Sequence, residues 1–190
     1  MYCVIEGIDT SGKSTQIRAL KEIYKQAVFT FEPGATEVGK EIRRILLEQN
    51  NFHLSAQTEV LLFLADRAEH SAQVLQPNLN RLIISDRSLI SGIAYAKDFD
   101  FGILKSLNLF ATRGILPNKV VLLELNQEVL EARLGAKSED KIESRGIAYL
   151  LELQERLGVV IEGLGIESLR IPADLPQATI TARIVDFINA

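Results

Sequence analysis

Gly7-Ile8-Asp9-Thr10-Ser11-Gly12-Lys13-Ser14 decides the fold. The octet fits G-x-x-x-x-G-K-[ST], and its flanks agree with it: the apolar run Tyr2-Cys3-Val4-Ile5-Glu6 leads in, and a helical pattern from Ser14 to Gln26 leads out. A strand that breaks into a glycine-rich turn and then opens a helix wraps backbone N–H groups around an anion. Gly7 and Gly12 allow that turn because they carry no Cβ. The helix adds its unpaired N–H groups and the positive end of its dipole. In such a loop Lys13 reaches the β- and γ-phosphates of a nucleotide and the Ser14 hydroxyl reaches Mg²⁺. Gly7, Asp9, Thr10, Ser11, Gly12 and Thr15 complete the expected phosphate cradle.

Outward from this loop, apolar runs rich in β-branched residues alternate with helical periods, the pattern of a parallel sheet built from strand–helix–strand units. Strands are predicted at 2–6, 27–31, 81–85, 119–124 and 166–171. Helices are predicted at 13–26, 36–49, 55–76, 89–97, 100–112, 126–135, 143–162 and 177–189. Asp100 and Asn126 read as N-caps, and Pro77 and Pro117 as helix exits. The third and fourth strands hardly alternate, as expected when helices cover both faces of the sheet. The expectation is therefore an α/β fold: a five-stranded parallel sheet with helices on both faces, in one domain spanning 1–190. A polar, turn-prone segment at about 134–142 sits between two helices, where a short lid would fall.

Composition narrows the partners. The 190 residues carry a net charge of -4, which disfavours nucleic acid, whose readers present a basic face. No apolar run approaches the ~18 residues of a membrane span. The opening Met1–Gly7 lacks a charged leader pattern, so a cytoplasmic protein is expected. The single cysteine, Cys3, excludes an internal disulfide and reads as a small core residue. The two histidines, His53 and His70, fall outside every motif and read as surface or helix-end residues.

The third predicted strand, Leu82-Ile83-Ile84-Ser85, runs into Asp86-Arg87. Ligands of open α/β sheets bind at the carboxyl ends of strands, so Asp86 is a candidate Mg²⁺ ligand beside Ser14. Arg87 is a candidate phosphate clamp. The alternative is a surface ion pair closing a turn. Guanine specificity would need N-K-x-D, but Asn118-Lys119 is followed by Val120-Val121.

Further motifs join these. Glu6-Gly7-x-Asp9 opens the phosphate loop; Phe31-Glu32-Pro33-Gly34-Ala35-Thr36, then Gly39 and Ile42-Arg43-x-x-Leu46-Leu47, follows the second strand. Phe63 and Arg67 stand four residues apart on one helix face. Ser91 and Ala94-Tyr95 follow Asp86-Arg87, and Asp140-Lys141-Ile142-Glu143 lies in the lid segment. Together they resemble the thymidylate kinases, P-loop nucleoside monophosphate kinases, over almost the whole chain.

The resemblance implies transfer of the γ-phosphate of ATP to dTMP, with Mg²⁺, in a homodimer. Phe63 would stack on the thymine ring and Arg67 would donate to its carbonyl. Arg43 and Arg87 would hold the acceptor phosphate, Asp9 would accept from the 3′-hydroxyl, and Glu32 and Pro33 would help position the acceptor. Tyr95 would pack near the sugar, beside Gly92. Arg133 would stack on adenine, and Lys137 or Lys141 would serve the transferring phosphoryl group. Thr10 and Ser11 stand where some members carry a phosphate-loop arginine, which places this chain with those whose lid supplies the cations. It departs from common family choices at Phe31, Ala35, Ser88, Lys137 and Lys141, and Gly92 and Ala96 remove two side chains that help read the base in many members. A deoxynucleoside kinase, or a nucleotide-binding module without turnover, are the competing readings. The apolar helix around Val60–Leu64 is the candidate dimer face.

Overall fold

The β-branched runs form five parallel strands, β1 (Tyr2–Glu6), β2 (Val28–Phe31), β3 (Ile83–Asp86), β4 (Lys119–Glu124) and β5 (Glu167–Pro172), in the order β2-β3-β1-β4-β5. This is a computed structural model, and it describes residues 1–48, 53–135 and 146–190. Every residue of β1 is buried, as are Lys119–Leu123 of β4, because helices lie on both sides of these strands. Cys3 belongs to this core and is fully buried.

The helices are α1 (Lys13–Ile23), α2 (Glu37–Leu47), α3 (Ala56–His70), α4 (Leu89–Tyr95), α5 (Phe101–Thr112), α6 (Gln127–Leu134), α7 (Ile147–Leu164) and α8 (Gln177–Asn189). α8 packs back on α1, while α4 packs on α5 and α7, and α3 lies between α2 and α5. Side chains cap five of the eight at their N-termini: Thr36, Ser55, Ser88, Asp100 and Asn126 each accept from a backbone N–H of the first turn. Such a cap stabilises a helix by roughly 1 kcal/mol. α1 has Gly12 at this position and no side-chain cap; Thr15 N–H turns back to Gly12 O, and the N–H groups of Lys13 and Ser14 at the helix start face no capping side chain.

Two boundaries differ from expectation in an informative way. α1 stops at Ile23 rather than 26, with Tyr24 N–H closing on Leu20 O before the chain turns into β2. The predicted helix 55–76 is α-helical only to His70; one π turn (Ser71–Leu75) and a 3₁₀ turn (Gln76–Asn78) containing Pro77 follow. The π turn carries Ser71 and Leu75 into the interior together, and Ser71 Oγ donates to Thr112 O of α5. Such turns recur at functional sites.

Candidate active site

The carboxyl ends of β1, β2 and β3 meet in one place because their register is fixed. Ile5 of β1 and Phe31 of β2 both pair with Asp86 of β3. Arg87 N–H then donates to Ile5 O, and Glu32 N–H to Asp86 O. Three loops, 7–13, 32–36 and 86–88, therefore open on one cleft of about 880 Å³. Asp9–Thr15, Glu32, Arg43, Asp86, Arg87 and Arg133, all singled out in the sequence, line it.

The phosphate loop is held by backbone geometry. Gly7 has φ 151°, and a Cβ there would lie 2.8 Å from Leu123 O, so no other residue fits. Gly12 and Thr10 also have positive φ, at 96° and 66°. Lys13 is buried and donates from Nζ to Gly7 O and Ile8 O, both at 2.9 Å. Burial and the nearby Arg87 charge push its ammonium down to about 8, against the opposing pull of Asp9, Asp86 and Glu6. Thr10 Oγ1, Ser11 Oγ and Asp86 Oδ1 are buried without a hydrogen-bond partner among the described residues. Such orphans are rare in folded proteins and, clustered at a cleft, call for a ligand.

Of the residues that line the cleft, Asp86 and Ser14 fit Mg²⁺ carried in with a nucleotide. One carboxylate (Asp86) and one hydroxyl (Ser14) leave the other positions to phosphate oxygens and water, as this ion prefers. Among the described residues no group of three or more His, Cys, Asp or Glu side chains offers a dedicated metal cage.

Arg87 does not pair with Asp86. Its Nη2 donates to Asp9 Oδ1 and its Nη1 to Ser91 Oγ at 3.1 Å, with Tyr95 beneath the guanidinium at 5.6 Å. The turn-closing ion pair considered from sequence is therefore absent, and Arg87 instead ties the phosphate loop to α4. Burial pushes the Tyr95 phenol up to about 12. Beneath this layer Glu6, fully buried, accepts from Ser88 Oγ (2.8 Å) and Ser91 Oγ (2.6 Å). Burial raises the Glu6 carboxyl, with Ser91, Arg87, Ser88 and Lys13 opposing it. The departure at Ser88 thus has a structural account: the hydroxyl caps α4 and serves Glu6.

On the other side, Arg67 is buried and gives Nε to Glu32 Oε2 (2.8 Å), Nη1 to Asn108 Oδ1 (2.6 Å) and Nη2 to Ser88 O (3.4 Å). His70 Nδ1 stands 2.8 Å from Glu32 Oε1, and Thr30 Oγ1 stands 2.7 Å from His70 Nε2. His70 is fully buried, which corrects its reading as a surface residue; it ends α3, but its side chain turns inward because Glu32 and Thr30 receive it. His53 is exposed as expected. Burial works to raise the Glu32 carboxyl, but Arg67 and His70 outweigh it and hold it below its ordinary value. Asp66 Oδ1 accepts from Gly34 N–H at 2.9 Å, and burial pushes its carboxyl up to about 6. Arg43 Nη1 donates to Pro33 O (2.7 Å), and its guanidinium lies 6.0 Å from the Phe31 ring.

Arg133 reaches from α6 to Thr10 O (2.9 Å) and Ala173 O (2.6 Å), bridging the phosphate loop to the segment after β5. That segment supplies walls the sequence reading missed: Ala173, Leu175, Gln177 and Ile180, with Arg18 from α1. Asn108 and the inward role of His70 were missed as well. A polar residue inside the apolar run of α5, and a histidine three residues after Arg67, were the available signals. Pro33, Phe63, Arg67, Gly92 and Tyr95 do not line the cleft. Arg67, Pro33 and Tyr95 touch residues that do, Gly92 adjoins Arg67, and Phe63 is half-buried on α3 one turn before Arg67. Lys137, Lys141 and the lid segment beyond Gly135 lie outside the described residues.

Comparison with known proteins agrees with this geometry. A family model described as thymidylate kinase matches residues 5–184. A thymidylate kinase of Wolinella succinogenes is 56% identical over 185 residues, covering 97% of this chain and 96% of that protein. One from Helicobacter hepaticus is 49% identical over 192 residues, covering 100% and 98%. A crystal structure of thymidylate kinase from Ehrlichia chaffeensis superimposes with a TM-score of 0.76 at 22% identity, over 99% of this chain and 98% of that one, which shows the shared fold.

Proposed function

From the premise that this chain belongs to the thymidylate kinase family, we propose that it transfers the γ-phosphate of ATP to dTMP, releasing ADP and dTDP. One observation carries the assignment of roles. Strand register brings the phosphate loop, Asp86-Arg87 and the Glu32 loop around a single cleft with unpartnered donors and acceptors at its floor.

Phosphoryl transfer asks the protein for alignment and for positive charge around the travelling group. The open N–H groups of α1 and the Lys13 ammonium hold the β- and γ-phosphates. Lys13 exchanges its two carbonyl acceptors for phosphate oxygens when the nucleotide enters. Ser14 and Asp86 hold Mg²⁺, which when bound neutralises charge that builds on the phosphates. Arg133 and the Ala173–Ile180 wall form the adenine end of the cleft. Arg43 and Arg87 hold the acceptor phosphate, offsetting repulsion between two polyanions. Asp9, which already receives Arg87, accepts from the 3′-hydroxyl, and Pro33 with Glu32 shapes the acceptor loop. Phe63 stacks on the thymine ring, Arg67 donates to it, and Tyr95 packs against the sugar near Gly92. Lys137 and Lys141 are assigned to the transferring phosphoryl group from the sequence, as lid residues.

The chain is read as one kinase domain over 1–190, acting in the cytoplasm as a homodimer. No described helix is long and apolar enough to cross a membrane. Support for the dimer is a layer of three adjacent helices with exposed apolar side chains: Val38 and Leu47 on α2, Leu61 on α3, and Ile103, Leu107 and Phe110 on α5. The test is ADP release from ATP·Mg²⁺ with dTMP, dUMP, UMP, CMP, AMP and thymidine offered separately. Strong turnover with dTMP is expected. Turnover with thymidine but not dTMP would move the protein to the nucleoside kinases, and none with any acceptor would leave a binding module.

A further inference from the structure

Arg67 is fixed from three directions, and one of the residues that fix it, Asn108, lies outside every motif of the sequence. A guanidinium carries five N–H groups. Nε–H goes to Glu32, one Nη1–H to Asn108 and one Nη2–H to Ser88 O, so two remain for a ligand among the described residues. Their direction depends on where Glu32 and Asn108 stand. Asn108 is anchored in turn, its Nδ2 donating to Leu104 O at 2.7 Å within α5. Glu32 is anchored by His70, whose Nδ1 must carry a proton because an ionised carboxylate can only accept. His70 is anchored by Thr30 on β2 and stands where α3 gives way to its π turn.

We propose that His70 and Asn108 are positioning residues of the acceptor site, acting through Glu32 and Arg67 to aim the two free N–H groups of the guanidinium at the acceptor base. The inference rests on the assignment of Arg67 to the dTMP site. Glu32 joins the two: one face of its loop lines the cleft and its carboxylate receives both Arg67 and His70. The relay Thr30–His70–Glu32–Arg67–Asn108 thus spans β2, α3 and α5, all of it buried.

The test uses the geometry of amide side chains. An asparagine at position 70 places its amide nitrogen where Nδ1 stands and can still donate to Glu32. A glutamine places its amide near Nε2, keeping Thr30 and losing Glu32. His70→Gln is therefore expected to raise the KM for dTMP about tenfold with the KM for ATP within about twofold, while His70→Asn stays within about threefold of the parent. A packing role alone predicts the reverse order, since glutamine fills the space better. In an Arg67→Ala background His70→Gln should add nothing further to the KM for dTMP. Glutamine outperforming asparagine, full additivity with Arg67→Ala, or an equal rise in the KM for ATP would each overturn the proposal. If either His70 variant fails to fold by circular dichroism, the second pair decides. Asn108→Asp keeps an acceptor for Nη1 and Asn108→Leu removes it, and equal KM values for dTMP in the two would overturn it. A parent protein with no dTMP-dependent ADP release would instead overturn the acceptor assignment, and this inference with it.

Discussion

Gly92 on α4 and Arg67 on α3 meet with no room between them: a Cβ added to Gly92 would lie 2.8 Å from Arg67 Nη2 and 2.9 Å from Nη1. Judged from sequence, the glycine looks like a lost base-reading side chain. In the structure it is the space that the guanidinium occupies. Gly92→Ala should displace Arg67 and raise the KM for dTMP about tenfold, equivalent to ~1.4 kcal/mol of binding. The KM for ATP should hold. Stability should change little, because alanine is favoured over glycine in a helix by up to about 1 kcal/mol and offsets the crowding. Steady-state kinetics with each substrate varied decides the matter; an unchanged KM for dTMP would show that Arg67 does not need this space.

Lys13 ties the phosphate loop to itself through Gly7 O and Ile8 O. Its main role in the proposed reaction is charge on the transferring group. Lys13→Ala should lower kcat by about a thousandfold, or ~4 kcal/mol of transition-state stabilisation, with the circular dichroism of the parent retained. Parent-like turnover in a folded variant would remove Lys13 from the chemistry.

The same ammonium makes nucleotide binding pH-dependent. In the free protein burial and Arg87 bring Lys13 down to about 8, so at pH 8 about half the molecules carry it neutral. Phosphate oxygens beside it favour the charged form and raise its pKa. ATP binding should then take up about half a proton per site at pH 8 and less at pH 7, and affinity should fall as pH rises through 8. Calorimetry in buffers of different ionisation enthalpy measures the uptake. A value of zero from pH 7 to 9 would mean that Lys13 is already charged in the free protein.

The fold was readable because most of its determinants are local. The central strands β1, β3 and β4 are apolar runs with paired β-branched residues, and Asp100 and Asn126 announce helix starts that the structure keeps. The phosphate loop was readable because its glycines answer a backbone requirement seen at Gly7. Arg67 was readable as needing a partner, since an arginine on the inward side of a helix must be paired. Which partner it has was not readable. Glu32 lies 35 residues away and Asn108 41 residues away, and only the packing of α3 against α5 and beside the loop after β2 brings them together. His70 was misjudged for the same reason: its ring is buried by partners on β2 and the following loop that sequence spacing does not reveal. The Ala173–Ile180 wall carries no motif, because it contributes surface rather than chemistry.

Glu32 is the carboxylate on which the buried relay depends. Its folded pKa is depressed by Arg67 and His70 despite burial, so it contributes stability above the ordinary carboxylate range, lost as pH falls through its folded value. Glu32→Gln leaves Arg67 without its counter-charge and should cost about 3–5 kcal/mol near neutral pH. The gap between variant and parent should narrow as acid protonates Glu32 in the parent. Thermal unfolding from pH 7 down to pH 3 follows it; a gap that is constant with pH would place the cost in packing instead of charge.

Phe110 is 85% exposed on α5, in the helical layer that also exposes Leu61, Ile103 and Leu107. An aromatic side chain left in water gives up roughly 2 kcal/mol of burial that a partner surface would recover. A second copy of the chain is the partner whose matching patch is guaranteed, because a two-fold interface pairs one surface with itself. Phe110→Glu should then bring two carboxylates close together at the symmetry axis or desolvate each of them singly. Either outcome weakens association, so the parent should sediment as a dimer and the variant as a monomer at micromolar concentration. A variant that remains dimeric would move the interface off α5, and a monomeric parent would end the dimer proposal while leaving the cleft, which is built within one chain, untouched.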